Sequence, residues 1–410
     1  MALNKAYRPW HFRLLNAVGE LLSTVGIRPS IQADYILKKA MKQSGFDSFG
    51  DNPDYEGLQV LVASIEHQAR LNTIGRLTCQ KMFTGFMSNR LQLEDWFTNH
   101  PDELNQKITK PIFIIGLPRT GTTILHNLMW QDPGNRAPLM WEINDPIPRP
   151  NPESWDDDPR IAVNQDNLDA LNRLATNFLA IHEVAATLPQ ECVGITQHMF
   201  HGITLFLHWY VPDYRQWLLK TNAEPAMRYH KRFLQMLQAT KPGDRWLLKS
   251  PAHLNSLPTL FKVYPDAQVV FTHRNPVEVI GSVCSLVWSL SGMASDKGLD
   301  PLKIGEEQSF SWNQMLEQAM VDRELLIEHE DQFHDLYFSD LVSDAEESIR
   351  GIYKKFSLPF PDDMGSRINS FLSLNPQNKY GKHEYSLQDF GLTHRGERQR
   401  FANYIQKYNL

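Results

Sequence analysis

The run Pro111-Ile-Phe-Ile-Ile-Gly-Leu-Pro-Arg-Thr-Gly-Thr-Thr-Ile-Leu-His126 constrains the chain more than any other. Four apolar residues after a proline form a short buried strand, and Gly116 to Thr123 a tight turn. From Thr122 a helix opens with Ile124, Leu125, Leu128 and Met129 on one face. A strand, a glycine turn and a helix start aim backbone N–H groups and the positive end of a dipole at one point. Such a point suits a phosphate or sulfate. A nucleoside triphosphatase loop needs Lys and then Ser or Thr after its second glycine. Here Gly121 is followed by Thr122 and Thr123, and the cation, Arg119, lies inside the loop beside Thr120. The turn fits a tetrahedral oxyanion but not a magnesium–ATP machine.

Two further strands carry charge at their ends. Trp246-Leu-Leu delivers Lys249 and Ser250, and Gln268-Val-Val-Phe-Thr delivers His273 and Arg274. Asn275-Pro276 then starts a helix, with proline where a missing N–H costs nothing. Ligands of open parallel sheets sit outside the carboxyl ends of the strands. That rule sends Arg119, Lys249 and Arg274 to one crevice.

The Gly116–Thr123 loop resembles the 5′-phosphosulfate loop of the sulfotransferases that use 3′-phosphoadenylyl sulfate, in the Pro-Arg-x-Gly-Thr-Thr form of bacterial members. The resemblance implies an α/β fold with a P-loop-type central parallel sheet flanked by helices. It implies that Arg119, Thr120, Gly121, Thr122 and Thr123 bind the 5′ side of the cofactor. Arg274 and Ser282, two helical turns later, match the family's 3′-phosphate site. Lys249 matches its catalytic lysine. Cytosolic relatives place a histidine base two residues after that lysine, where this chain has Pro251. Three groups compete for the role, in the order Glu142, His253, Glu191. Glu142 lies where carbohydrate sulfotransferases place a glutamate base, and Trp141 beside it would raise its pKa. It is equally suited to pair with Arg136 or Arg119. Relatives carry Tyr-Glu-Asp-Leu near the adenine; here Phe338 and Ser339 replace the first two. His394-Arg-Gly396 only faintly echoes a 3′-phosphate motif, and no role is carried over to it.

Around this core, residues 1–108 read as a helical N-terminal region, a cap over the acceptor pocket, an oligomer interface or a packed appendage. The periodicity of Leu14, Leu15, Val18, Leu21 and Leu22, and of Leu58, Val60, Leu61 and Ile65, supports helices there. Residues 109–410 read as the sulfotransferase-like domain, with a helical acceptor-site insertion at about 160–240. That insertion is rich in aromatics, among them Phe178, Phe200, Phe206, Trp209, Tyr210, Tyr214, Trp217 and Tyr229. Most are expected in the core, and some as walls of the acceptor site.

Composition excludes several classes. A formal charge of −6 gives no support to nucleic-acid binding. Three cysteines without metal-ligand spacing fit a reducing cytoplasm, and no metal site is expected. No apolar run approaches membrane-spanning length, and no signal-peptide core is evident. The expected activity is transfer of a sulfuryl group to a hydroxyl, or an amine, of a small apolar or aromatic acceptor. A phosphoryl-transfer kinase and a catalytically silent nucleotide- or ligand-binding protein are the alternatives.

Overall fold

The structure, a computed structural model, describes residues 9–50, 55–174, 185–295, 299–376 and 385–410. Phe178, one of the aromatics expected in the insertion, lies outside them. A five-stranded sheet occupies the centre, in the order β2-β3-β1-β4-β5. The strands are β1 (Ile112–Gly116), β2 (Asn135–Arg136), β3 (Arg245–Lys249), β4 (Gln268–His273) and β5 (Phe333–Tyr337). Every pairing is parallel. β1 lies between β3 and β4, so chain order reverses on either side of it. That is a topological switch point, where a crevice opens at the strand ends.

β1 and the middles of β3 and β4 are apolar because both of their faces are covered. Alternate residues of a strand point to opposite faces. Phe113, Ile115, Leu248, Val269 and Phe271 therefore enter the larger core. Ile112, Ile114, Leu247 and Val270 enter a second core with Leu125, Leu128 and Met129 of the Thr122–Met129 helix. Each large aliphatic or aromatic side chain so buried contributes about 1.5–3 kcal/mol. Lys249 follows Leu247 by two and emerges on the same face, the one that this helix covers.

The N-terminal helices Ala33–Ser44, Glu56–Ser64 and Thr73–Asn99 share the larger core with the insertion. Phe83 packs edge-on against Phe200 and Trp209, and Phe97 against Tyr229. Glu94 pairs with Arg232 at 3.0 Å. Most insertion aromatics are core residues, as expected. Tyr214 is fully buried and its hydroxyl donates to the Phe200 carbonyl at 2.9 Å. Gly57 lies in the first turn of the Glu56–Ser64 helix.

One sequence expectation needs correction. The Pro276–Ala294 helix is long and apolar enough to cross a membrane, with mean hydropathy 1.5. It is the helix that follows β4, and most of it is buried inside the protein. Its apolarity serves the core, against the Thr73–Asn99 and Pro301–Leu325 helices.

Two glycines give opposite expectations for substitution. Gly116 ends β1 with φ +142°, and an added Cβ would lie 2.3 Å from Thr272 Oγ1. Gly85, inside the Thr73–Asn99 helix, has nothing within 4 Å of that position. In denaturant titrations Gly116→Ala is expected to lose about 2 kcal/mol or more. Gly85→Ala is expected to gain about 0.5–1 kcal/mol from helix propensity alone.

Candidate active site

The loop after β1 is held by its own threonine. Thr120 is fully buried; its hydroxyl donates to the Leu117 carbonyl at 2.7 Å and lies 2.6 Å from Thr272 Oγ1 on β4. Thr272 Oγ1 in turn bonds the Ile115 carbonyl at 3.1 Å. Thr120 was expected among the anion ligands; its side chain is turned into the sheet and fastens the loop to β4. Arg119 beside it adopts φ +71°, a left-handed conformation rare for a non-glycine residue and concentrated at functional sites. Gly121 precedes the helix with φ +90°, and a Cβ there would lie 2.9 Å from Phe338. The first helical turn, Thr122 and Thr123, is thus presented at the mouth of the crevice.

Lys249 reaches this turn from β3. Its ammonium donates to Thr123 Oγ1 at 3.3 Å and to Glu191 Oε1 at 2.8 Å. The lysine side chain is 3% exposed and that of Glu191 20% exposed. Burying an ammonium is costly unless it is paired and hydrogen-bonded, and here it is both. Glu191 arrives from the insertion, and backbone bonds hold it there. The Cys192 N–H donates to the Lys249 carbonyl at 2.9 Å, and the Gln190 N–H to the Pro138 carbonyl at 2.8 Å.

Glu142, first among the sequence candidates for the base, is committed elsewhere. One of its oxygens accepts from the Arg136 guanidinium and, at 3.0 Å, from the Trp155 indole N–H. The other accepts from the Leu139 N–H at 2.9 Å. The carboxylate is buried, both oxygens are occupied, and it caps the start of the Met140–Asn144 helix. Of the three candidates, Glu191 is bonded to Lys249 and Glu142 to Arg136. His253 is buried edge-on against Phe113, and its Nε2 has no hydrogen-bond partner among the described residues. Burial holds its pKa down to about 4, against a smaller upward pull from Glu191.

Arg274, at the tip of β4, closes the other side. Its guanidinium donates to the Arg119 carbonyl at 3.3 Å and to Glu278 at 3.2 Å, and stacks 4.3 Å from the centre of the Phe338 ring. Arg119 and Arg274 thus belong to one region. Desolvation lowers the pKa of Arg119; Tyr385 opposes that shift and Arg274 reinforces it. The Asn275 side chain caps the Pro276–Ala294 helix through the Val277 N–H at 3.1 Å. Ser282 is buried in its second turn.

Residues the motif reading missed fix the β4 tip. His273 Nδ1 lies 2.6 Å from the Tyr404 hydroxyl and Nε2 2.8 Å from Asp335. Tyr408 stacks on the imidazole at 4.0 Å, and Arg323 pairs with Asp335 at 2.7 Å. Hydrogen bonds from His273 and Arg323 hold the Asp335 carboxyl well below its ordinary range despite burial. The C-terminal helices, through Tyr404 and Tyr408, thereby hold the strand that ends in Arg274. The helical i, i+3, i+7 spacing of Phe401, Tyr404 and Tyr408 is the sequence signal for it.

A switch-point loop, a buried lysine and a facing carboxylate define a group-transfer site for an oxyanion. The comparisons agree. The chain belongs to the sulfotransferase family, whose model matches residues 111–362. It is similar in structure to sulfotransferase STF9 from Mycobacterium avium, with a TM-score of 0.85 and 27% identity, over 94% of this chain and 98% of that one. Against sulfotransferase STF1 from Mycobacterium tuberculosis the TM-score is 0.80 with 30% identity, over 92% of this chain and all of that one. A curated relative in Mycobacterium bovis and M. tuberculosis, omega-hydroxy-beta-dihydromenaquinone-9 sulfotransferase Stf3, is 24% identical over 294 residues. That alignment covers 68% of this chain and 70% of the relative. The protein is accordingly an enzyme that transfers a sulfuryl group.

Buried histidines give stability a pH dependence, four of them with the largest shifts. Burial lowers the pKa of His126, His198 and His230 to about 3 and that of His253 to about 4, from 6.5. Between those values the unfolded chain binds protons that the folded chain refuses, so stability falls as pH drops from 6.5 towards 4. Denaturant titrations across that window are expected to show the fall. His198→Gln should flatten the slope by about 1.4 kcal/mol per pH unit in mid-window, one proton's share.

Proposed function

We propose that the donor is 3′-phosphoadenylyl sulfate, that the acceptor is an apolar alcohol, and that Glu191 is the general base. The observation that carries the reading is the Lys249–Glu191 pair at 2.8 Å beside Thr123. Charge complementarity to the donor comes from Arg119, Arg274 and the N–H groups at the start of the Thr122–Met129 helix. Gly116 and Gly121 support it further, since a side chain at either would fill the turn. Thr122 and Thr123 would hold the 5′-phosphate and Arg274 with Ser282 the 3′-phosphate. When bound, the donor supplies a sulfuryl group on a good leaving phosphate.

The roles of the chain's own groups follow from their placement. Lys249 stabilises negative charge on the sulfuryl oxygens and on the departing phosphate oxygen, in a site too dry for water to do so. Glu191, paired with Lys249, accepts the proton of the acceptor hydroxyl as its oxygen bonds to sulfur. His253, its pKa pushed down to about 4 by burial, is a weak base. Glu142 carries structure. An apolar alcohol as acceptor agrees with the name of the Stf3 relative, a hydroxylated menaquinone sulfotransferase. Three buried, free cysteines fit a reducing cytoplasmic setting.

Assays with 3′-phosphoadenylyl sulfate and a panel of apolar alcohols test these roles. Lys249→Ala and Glu191→Gln are each expected to lower kcat by about 10²–10³-fold. Glu142→Gln is expected to lower stability by about 3 kcal/mol through the stranded Arg136, while the folded fraction turns over near the wild-type rate. Arg274→Ala is expected to raise the Kd of 3′-phosphoadenosine 5′-phosphate by about 10–100-fold with a smaller effect on kcat. Normal turnover in Glu191→Gln would remove the base assignment, and an unchanged Kd in Arg274→Ala the 3′-phosphate assignment.

A further inference from the structure

We propose that Tyr385 is a positioning residue of the donor site and acts through Arg119. The role rests on the donor reading above, and it adds to that site a side chain from the C-terminal part of the chain. Arg119 is held at φ +71°, and desolvation of its side chain lowers its pKa. A guanidinium taken out of water needs acceptors facing it. Its neighbour on the β4 side is a like charge: Arg274 bonds the Arg119 carbonyl at 3.3 Å and lowers the pKa further. Tyr385 pulls the other way.

The fold builds a seat for that phenol. Leu387 and Phe390 are buried in the larger core. The Phe390 carbonyl oxygen lies against Gly305 of the Pro301–Leu325 helix, 2.0 Å from where a Cβ would stand. The Tyr385 ring lies against Gly281 of the Pro276–Ala294 helix, its Cδ2 2.8 Å from the Cβ position there. Each glycine makes room for residues 385–392, and Gly281 directly precedes Ser282. The Tyr385 hydroxyl donates to the Glu278 carbonyl at 3.1 Å, and the Glu278 carboxylate accepts from Arg274 Nε at 3.2 Å. The phenol therefore stands over the first turns of the helix that Arg274 precedes. It is 38% exposed, at the rim of the crevice and not in the core.

The chemistry of the hydroxyl completes the argument. A phenol has one proton to give and lone pairs to receive. The proton goes to the Glu278 carbonyl, so the oxygen turns acceptor towards its surroundings, which suits a guanidinium. Arg119 is thereby oriented before the donor arrives, and less of its freedom is lost on binding. Packing of the ring on Gly281 needs only a phenyl group; the positioning role needs the oxygen.

Calorimetric titration of the full chain with 3′-phosphoadenosine 5′-phosphate tests the proposal in a double-mutant cycle. Tyr385→Phe keeps the ring and removes the hydroxyl. It is expected to raise the Kd about tenfold, with a thermal melt close to that of the wild type. In an Arg119→Ala background the same substitution is expected to change the Kd by less than about twofold, because the group it positions is gone. Arg119→Gln serves the cycle if Arg119→Ala does not fold. A wild-type Kd in Tyr385→Phe, alongside weaker binding in Arg274→Ala, would overturn the proposal and leave the donor reading standing. Equal fold-losses in both backgrounds would overturn it as well, since the hydroxyl would then act without Arg119. If neither Tyr385→Phe nor Arg274→Ala alters the Kd, the donor reading falls and the proposal with it.

Discussion

The buried ion pair between Lys249 and Glu191 is the constraint on which the site depends. Burying an ammonium whose side chain is 3% exposed is costly without a partner. Glu191 supplies that partner, and Thr123 the second acceptor. The pair also connects three parts of the chain: the end of β3, the insertion that carries Glu191, and the helix that follows the β1 loop. Moving any one of them strands a charge in a low-dielectric setting.

The second constraint is the β4 side. Thr120 and Thr272 fasten the β1 loop to β4, while His273, Asp335 and Tyr404 fasten β4 to β5 and the C-terminal helices. Arg274 then reaches back to the Arg119 carbonyl. The cationic rim is thus built on strand tips and held from behind by buried hydrogen bonds. Rigid placement of donors ahead of the reaction is what lets fixed dipoles outperform water in stabilising developing charge.

How far the sequence could be read follows from the range of the interactions involved. The β1 loop, the strands ending in Lys249 and His273, and the helix begun by Asn275-Pro276 were legible, because strand alternation and capping are local. The arrival of Arg119 and Arg274 in one region followed from the switch-point rule for parallel sheets. The choice between Glu142 and Glu191 was not legible. Each follows a proline within a few residues and neighbours an apolar run; only the tertiary bonds separate them. Arg136 and Trp155 claim the first, and the Cys192–Lys249 backbone bond delivers the second. The bonds of the Thr120 side chain were hidden for a similar reason. Its neighbours in the motif face the crevice, but its partner Thr272 lies 152 positions away.

Crystals of the protein grown with 3′-phosphoadenosine 5′-phosphate offer the most direct measurement. The account predicts the 5′-phosphate against the N–H groups of Gly121 to Thr123 within hydrogen-bond reach of Lys249, and the 3′-phosphate on Arg274. Density for the nucleotide elsewhere, or a 5′-phosphate out of reach of Lys249 with Glu191 turned from the crevice, would contradict it.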